Sequence, residues 1–396
     1  MRISRTLAGA EWPNRPDLAR LVAALGHGNL RWVGGAVRDT LLGHAVKDID
    51  AATPLPPEEV MLRLAASGIK PIPTGIDHGT ITAVLPGGPV EITTLRHDVC
   101  TDGRRATIAY ANDWQDDAAR RDFTINALYA DPHSLEVFDW FGGLGDLEER
   151  RVRFIGDARA RIREDHLRIL RYFRFQSRFG AELDAEAEEA CAELRETLKG
   201  LSRERVAMEL LNLLALPDPS ETVARMLALG VLPVVLPEAG RHEVATLEAL
   251  IAAETAAQVA PDALRRLAAL LPALPPVAES VAARLRLSGK QRQHLSHVAA
   301  RVAGDAENPR ALAYREGMDC AIDRLLLGGG DIAPLKGWAI PQLPLKGGDI
   351  VARGVTAGPR VAQALRAVEA RWVAEGFPDA SRVQAILDIE LTAGKA

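Results

Sequence analysis

The chain has 396 residues, 47% hydrophobic and 26% charged, and a formal net charge of −5. That length exceeds what one hydrophobic core serves, so about two to four domains are expected. Cys100, Cys191 and Cys320 lie far apart with no Cys-x-x-Cys pair, which argues against a disulfide framework or a zinc site and fits a reducing cytoplasm. Met1 to Pro13 lacks the apolar run of a secretion signal, and the most apolar later stretches are broken by Arg225 or by prolines, so neither export nor membrane spanning is expected.

After a stretch over residues 1–27, the run Leu30-Arg-Trp-Val reads as a short strand, followed by Gly34-Gly35-Ala-Val-Arg38-Asp39 and a helical pattern. Glycines at a strand-to-helix turn let backbone N–H groups approach a phosphate closely, and Arg38 adds positive charge. Ten residues beyond Arg38 comes Asp48-Ile49-Asp50. On a strand, side chains two apart share a face, so both carboxylates can grip Mg²⁺ beside a triphosphate. Either half alone reads equally as a turn or a solvated loop; the spacing between them points to a nucleotide-and-metal site.

Gly79-Thr-Ile-Thr-Ala-Val-Leu85 and Pro89-Val-Glu91-Ile-Thr-Thr-Leu95 alternate as strands, and up to about residue 140 the chain predicts a compact α/β unit. Within it, His97 to Arg105 is polar and contains glycine, the composition of a mobile loop. Arg120-Arg121-Asp122-Phe-Thr-Ile-Asn126-Ala-Leu opens an apolar, helical-looking segment with two cations and one acid. Arg121 suits phosphates and Asp122 a ribose hydroxyl; the competing reading is that Asp122 caps its own helix.

Beyond residue 150 strands nearly vanish. Residues 150–178 hold ten arginines against Asp157, Glu164 and Asp165, a footprint for RNA unless the arginines are spent in ion pairs. Read as one helix from Arg159 to Arg174, at roughly 100° per residue, Arg161, Glu164, Asp165, Arg168 and Arg171 fall within an arc of about 120°. Ile162, Ile169, Leu170 and Phe173 take the opposite, packing side. Asp165 only accepts and Arg168 only donates, which together match the amine-and-ring-nitrogen edge of cytosine or adenine and oppose a carbonyl on uracil or guanine. The alternative is an intrahelical pair between Glu164 and Arg168. Residues 157–304 read as helices punctuated by Gly and Pro, and from about 305 a loop-rich middle, Gly328 to Gly348, precedes helices near 359–375 and 380–392.

These constellations, with Asp139-Trp-Phe-Gly142-Gly143-Leu-Gly-Asp146-Leu and Ser202-Arg-Glu204-Arg205, occur in the order found in the bacterial class II tRNA nucleotidyltransferases, the CCA-adding enzymes, and their relatives the bacterial poly(A) polymerases, which residues 28–210 resemble. The resemblance implies an α+β fold: a nucleotidyltransferase head with a small mixed sheet, followed by all-helical neck, body and tail. The corresponding divisions are an N-terminal extension 1–27, head 28–150, neck 151–215, body 216–304 and tail 305–396. It implies template-independent addition of C, C and A to the 3′ end of tRNA from CTP and ATP by two-Mg²⁺ nucleotidyl transfer, with no membrane and no obligate protein partner called for. By the same resemblance Asp48 and Asp50 are catalytic metal ligands, Gly34, Gly35 and Arg38 meet the triphosphate, Arg121 and Asp122 serve phosphate and ribose, Asp165 and Arg168 select the base, and Arg171 and Arg174 support the nucleotide. Glu91 is a candidate third acid. The loop at 97–105 matches one that enzymes adding only CC lack, and Gly75-Ile-Asp-His-Gly-Thr80 stands where poly(A) polymerases carry a distinctive basic stretch. Leu95 stands where the family often has an aromatic, and no family motif is found beyond about 220. The competing functions are poly(A) synthesis, a phosphohydrolase using His97-Asp98 with His78 and Asp102, and a non-catalytic RNA-binding protein, against which Asp48 and Asp50 speak.

Overall fold

The computed structural model describes residues 5–76, 79–102, 105–111 and 113–393, with residues 97–102, 105–109 and 393 described through their backbone alone. The chain divides into two compact units, Met1–Pro237 and Glu238–Ala396. A seven-stranded mixed sheet in the first unit and helices elsewhere make this an α+β protein.

In chain order the sheet strands are β1 (Arg31–Val33), β2 (Ile49–Thr53), β3 (Lys70–Gly75), β4 (Thr80–Leu85), β5 (Gly88–Thr94), β8 (Tyr129–Ala130) and β9 (Val137–Phe138); β6 (Arg96–Asp102) and β7 (Arg105–Tyr110) form a separate pair. The order across the large sheet is β3-β4-β5-β2-β1-β8-β9, and the β2–β5 pairing is parallel. Its strands alternate as the pleat demands: on β5, Val90 and Ile92 are buried while Pro89 and Glu91 are exposed. The helices of this unit are α1 (Pro16–Leu25), α2 (Gly35–Leu41), α3 (Pro57–Ala66), α4 (Trp114–Ala119), α5 (Gly143–Glu148), α6 (Ala158–Glu164), α7 (Arg168–Phe179), α8 (Ala185–Leu194), α9 (Arg203–Leu214), α10 (Ser220–Ala228) and α11 (Leu232–Val235).

The stretch before the first motif packs on the sheet from Arg5 onward. Leu7 N donates to Leu135 O and Val137 N to Arg5 O, both at 2.9 Å. α1 buries Leu18, Leu21 and Leu25 completely. The Trp12 indole donates to Thr40 Oγ1 at 2.8 Å and meets Trp32 edge-on.

Three local expectations change. The polar segment from His97 to Arg105 runs as the facing strands β6 and β7 instead of an irregular loop; Val99, Thr101, Thr107 and Ile108 supply β-branched residues that favour this. Gly103, Arg104, Asp77 and His78 lie outside the described residues, as do the side chains of His97, Asp98 and Asp102 that a His–Asp phosphohydrolase would need. The segment opened by Arg120 is not a helix: α4 ends at Ala119, Phe123 is extended and bridges to Phe154, and Thr124–Asn126 is one 3₁₀ turn before β8. The single helix expected from Arg159 to Arg174 is two, α6 and α7. Asp165 between them is extended, with φ −148° and ψ 104°, and its Oδ1 accepts from Leu167 N at 3.1 Å. A short acceptor side chain that bonds its own downstream backbone favours such a break over helix continuation.

The second unit carries α12 (Arg241–Ala257), α13 (Ala263–Ala269), α14 (Pro275–Arg284), α15 (Gly289–Ala299), α16 (Pro309–Glu316), α17 (Met318–Leu327), α18 (Gly347–Ala352), α19 (Pro359–Ala374) and α20 (Ala380–Ala393). Between α17 and α18 only the 3₁₀ turn Ala333–Leu335 is regular, as the Gly-rich composition of 328–348 predicts. Its buried charges are mutually satisfied: Glu254, 2% exposed, accepts from Arg265 at 2.7 Å and Arg266 at 2.9 Å, and Arg265 also meets Asp323 at 3.1 Å. No helix among the described residues is long and apolar enough to cross a membrane.

Candidate active site

The first motif places a backbone turn that only glycine adopts comfortably. Gly34 has φ +68° and ψ −121°, and its N–H is tied to Leu128 O at 3.1 Å. From this turn α2 carries Arg38 inward until 4% of it is exposed. Its Nε reaches Asp39 Oδ1 at 2.8 Å and its Nη1 reaches Asn126 Oδ1 at 2.5 Å, while the guanidinium lies 4.3 Å from the Phe179 ring. Burial lowers the Arg38 pKa, with Asp39 opposing the effect.

Asp48 immediately precedes β2, and Asp50 lies within it, paired with Val33 on β1 and with Glu91 on β5. The carboxylates of Asp48 and Asp50 make no hydrogen bond or ion pair with any described residue. Burial lifts the Asp50 carboxyl above its ordinary range; the negative charge of Glu91 and then Asp48 adds to this, while Arg121 opposes it. Two carboxylates without a partner among the described residues, side by side in one cleft, form a donor set that a divalent cation satisfies. Among the described residues no group of three or more His, Cys, Asp or Glu is arranged to hold a metal. The pair therefore fits a hard ion that keeps its remaining positions for water and phosphate oxygens.

The turn after α4 supplies the next wall. Arg121 Nε donates to the Tyr129 hydroxyl at 2.9 Å and its Nη2 reaches Asp117 Oδ2 at 3.3 Å. Burial opposes charge on Arg121, but Tyr129 and Asp117 outweigh it and raise the pKa. Asp122, 8% exposed, takes Phe123 N at 2.9 Å and Asn126 Nδ2 at 3.0 Å on one oxygen, and Arg171 Nε at 2.8 Å on the other. Burial alone would raise its carboxyl, but Arg171, Asn126 and Phe123 bring it down to about 2. Asp122 does not cap the 3₁₀ turn that follows: the N-cap is Phe123, and no side chain caps it.

Arg171 and Arg174 of α7 converge on Glu209 of α9, at 3.5 and 2.6 Å, and Glu209 is 2% exposed. Arg178, one turn further, meets Asp39 at 3.1 Å. Arg178, Asp39, Arg38, Asn126, Asp122, Arg171, Glu209 and Arg174 therefore form one continuous polar chain. All of these except Glu209, which lies behind Arg171 and Arg174, line a cleft of about 470 Å³ together with Gly34, Gly35, Lys47, Asp48, Asp50, Arg121 and Phe175. Asn126, Asp39, Lys47, Phe175, Arg178 and Glu209 were not singled out as site residues from sequence. Arg178 follows Arg174 at i+4 and an extended helical wheel finds it; Glu209 has no such signal, because one acid in an apolar helix looks solvated until its partners are known.

Asp165 and Arg168 do not line this cleft. Asp165 Oδ2 accepts from Arg205 Nη2 at 2.7 Å. Arg168 donates to Glu164 at 2.6 Å, to Arg161 O at 2.9 Å and to Arg120 O at 3.0 Å. The Glu164–Arg168 pair is present but spans the break between α6 and α7 instead of lying within one helix, and Arg168 also holds the chain just ahead of Arg121. The arginine-rich stretch is extensively paired with acids from elsewhere: Arg151 and Arg153 with Asp146, Arg159 with Glu189 and Glu193, Arg171 with Asp122, Arg174 with Glu209 and Arg178 with Asp39. Asp146, 1% exposed, also takes the Thr124 hydroxyl at 2.5 Å, so the Asp139–Asp146 motif braces the turn that presents Asp122 and Asn126. Asp139 in turn accepts from the N–H groups of Gly142 and Gly143 at 2.9 and 3.0 Å.

Residues 30–153 match the Poly A polymerase head domain, and residues 180–241 match a family described as "Probable RNA and SrmB- binding site of polymerase A". The mitochondrial CCA tRNA nucleotidyltransferase 1 of Mus musculus is 34% identical over 386 residues, 91% of this chain and 86% of that protein. The CCA-adding enzyme of Geobacillus thermodenitrificans is 39% identical over 201 residues, covering 50% and 48% of the two. A crystal structure of the Bacillus stearothermophilus CCA-adding enzyme in complex with CTP superposes with a TM-score of 0.73 at 25% identity, over 96% of this chain and 99% of that one. The Thermotoga maritima CCA-adding enzyme complexed with tRNA has a TM-score of 0.74 at 22% identity, over 99% and 100%. With a turn, a carboxylate pair and an arginine wall converging on one cleft, and this identity along most of its length, the chain belongs to the CCA tRNA nucleotidyltransferase family.

Proposed function

We propose that this protein adds C, C and A to the 3′ end of tRNA from CTP and ATP without a nucleic-acid template, releasing pyrophosphate at each addition. The observation that carries the reading is the cleft in which Gly34, Arg38, Asp48, Asp50, Arg121, Asp122, Arg171 and Arg174 meet, in a chain whose relatives from Mus musculus and Geobacillus thermodenitrificans are named for CCA addition. Nucleotidyl transfer in this family is metal-dependent; two Mg²⁺ at Asp48 and Asp50 are our reading of the number and kind. Bound there, such ions lower the pKa of an attacking hydroxyl and neutralise the leaving phosphates.

The protein's own groups do the positioning. The Gly34 turn lets the backbone approach the triphosphate, Arg121 faces it with a charge secured by Asp117 and Tyr129, and Asp122 offers a carboxylate oxygen to a ribose hydroxyl. Arg171 and Arg174 set the far wall through Glu209. Selection of the base by Asp165 and Arg168 requires both to exchange their present partners, Arg205 and Glu164, for the base edge. In the same proposal residues 28–150 act as head, 151–215 as neck, 216–304 as body and 305–396 as tail, with the protein acting in the cytoplasm; the relative from Mus musculus is named as mitochondrial.

The test supplies tRNA lacking its 3′ end with CTP, ATP or both and sizes the products. Two added residues with CTP alone and three with both support the proposal. A long A ladder from ATP alone replaces it with poly(A) synthesis.

A further inference from the structure

Every arginine lining the cleft already has a carboxylate partner within the protein: Arg38 with Asp39, Arg121 with Asp117, Arg171 with Asp122, Arg174 with Glu209 and Arg178 with Asp39. Arg38 is the most committed, with Nε, Nη1 and Nη2 all engaged and almost no exposed surface. A cation neutralised by its neighbour attracts an incoming anion less than an unpaired one, because part of its field and its donors are spent. Lys47 differs. It lines the same cleft directly before Asp48, is exposed, and makes no ion pair or hydrogen bond with any described residue.

We infer that Lys47 is a further binding residue for the polyphosphate tail of the nucleotide and for the pyrophosphate that leaves. The inference rests on the nucleotidyl-transfer reading above. A nucleoside triphosphate brings several negative charges to a cleft whose arginines are mutually balanced, and the flexible ammonium of Lys47 supplies three donors and a charge held by no described residue. Asp48 and Asp50 are the obvious rival targets. If the ammonium served only to offset those carboxylates, it would compete with the metal and leave triphosphate and monophosphate indistinguishable.

The experiment measures binding of CTP, CMP and inorganic pyrophosphate to the full-length, tRNA-free protein across a series of Mg²⁺ concentrations, for wild type, Lys47→Met and Lys47→Arg, alongside steady-state incorporation. Lys47→Met is expected to weaken CTP and pyrophosphate about tenfold, the loss of one charge-assisted hydrogen bond, while CMP is unchanged and Lys47→Arg recovers most of the loss. In turnover the KM for CTP and ATP rises together, and kcat falls far less. Unchanged affinity for CTP and pyrophosphate overturns the inference. So does an equal loss for CMP, or a loss accompanied by a lowered Mg²⁺ requirement. Wild-type protein that binds CTP but adds nothing to tRNA removes the tRNA reading and leaves the triphosphate comparison intact.

Discussion

Replacing Asp122 with Asn keeps the shape of the side chain and removes its charge from a buried site. The carboxyl lies at about 2 against an ordinary 3.8, because the opposing charge of Arg171 and the hydrogen bonds from Asn126 and Phe123 outweigh burial. At 1.36 kcal/mol per pH unit, that difference is worth about 2 kcal/mol of folding stability. The substitution also turns an amide N–H toward the Arg171 donors; Glu209 still holds Arg171, which keeps the cost near this value and below the 3–5 kcal/mol of a fully stranded buried ion. A carboxylate whose pKa is lowered on folding stabilises above its unfolded pKa, and that contribution drains away as the pH falls through the folded value. The gap between wild type and Asp122→Asn should therefore be flat from about pH 8 to pH 5 and close between about pH 4 and pH 2. Urea unfolding followed by hydrogen exchange in peptides from 111–179 isolates the first unit from the second. A gap under about 0.5 kcal/mol at pH 7, or one that persists undiminished at pH 3, refutes the charge-based account.

Asp48→Ala and Asp50→Ala should each abolish incorporation while tRNA binding, read by filter retention, stays largely intact; undiminished incorporation removes the metal assignment. Asp165→Ala should relax the preference for CTP and ATP over UTP and GTP in single-nucleotide extension, and an unchanged preference ends its role in base selection. Gly143→Ala would press a methyl group into the Thr124 carbonyl, a backbone obstacle that cannot rotate away, and should cost about 1–3 kcal/mol in urea unfolding; a neutral result means the Asp139–Asp146 brace is not rigid. In the second unit, the hydrogen bond to Asp323 raises the His294 pKa despite burial. That contribution is complete below the ordinary histidine value and lost as the pH rises through the folded one, so residues 238–396 should weaken toward alkaline pH. His294→Asn should flatten the trend in urea midpoints, and a parallel wild-type-like trend removes the pair as its cause.

What the sequence disclosed and what it hid divides along the range of the interaction. The Gly34 turn, the entry to β2 that brings Asp48 and Asp50 to one cleft and the packing sides of α6 and α7 are local, set by glycine conformation and by periods of two and 3.6 residues. Ile162, Ile169, Leu170 and Phe173 are accordingly all buried as the helical wheel places them. The same wheel erred at Asp165, because periodicity carries no information on a side chain that bonds its own backbone two residues ahead. Local net charge misled for a related reason. The arginine excess over 150–178 is offset by Asp146 just before it and by Asp39, Asp122, Glu189, Glu193 and Glu209, which are distant or later in sequence and near only after folding. The pairing has a functional consequence: it fixes the arginines as walls with set directions, so the cleft's response to an incoming anion depends on which partners release and on the cation that has none to release. Arg171 shows the first case, held by Asp122 and Glu209 at the cleft wall. Lys47 shows the second, unencumbered by any described residue and placed where the carboxylate pair begins.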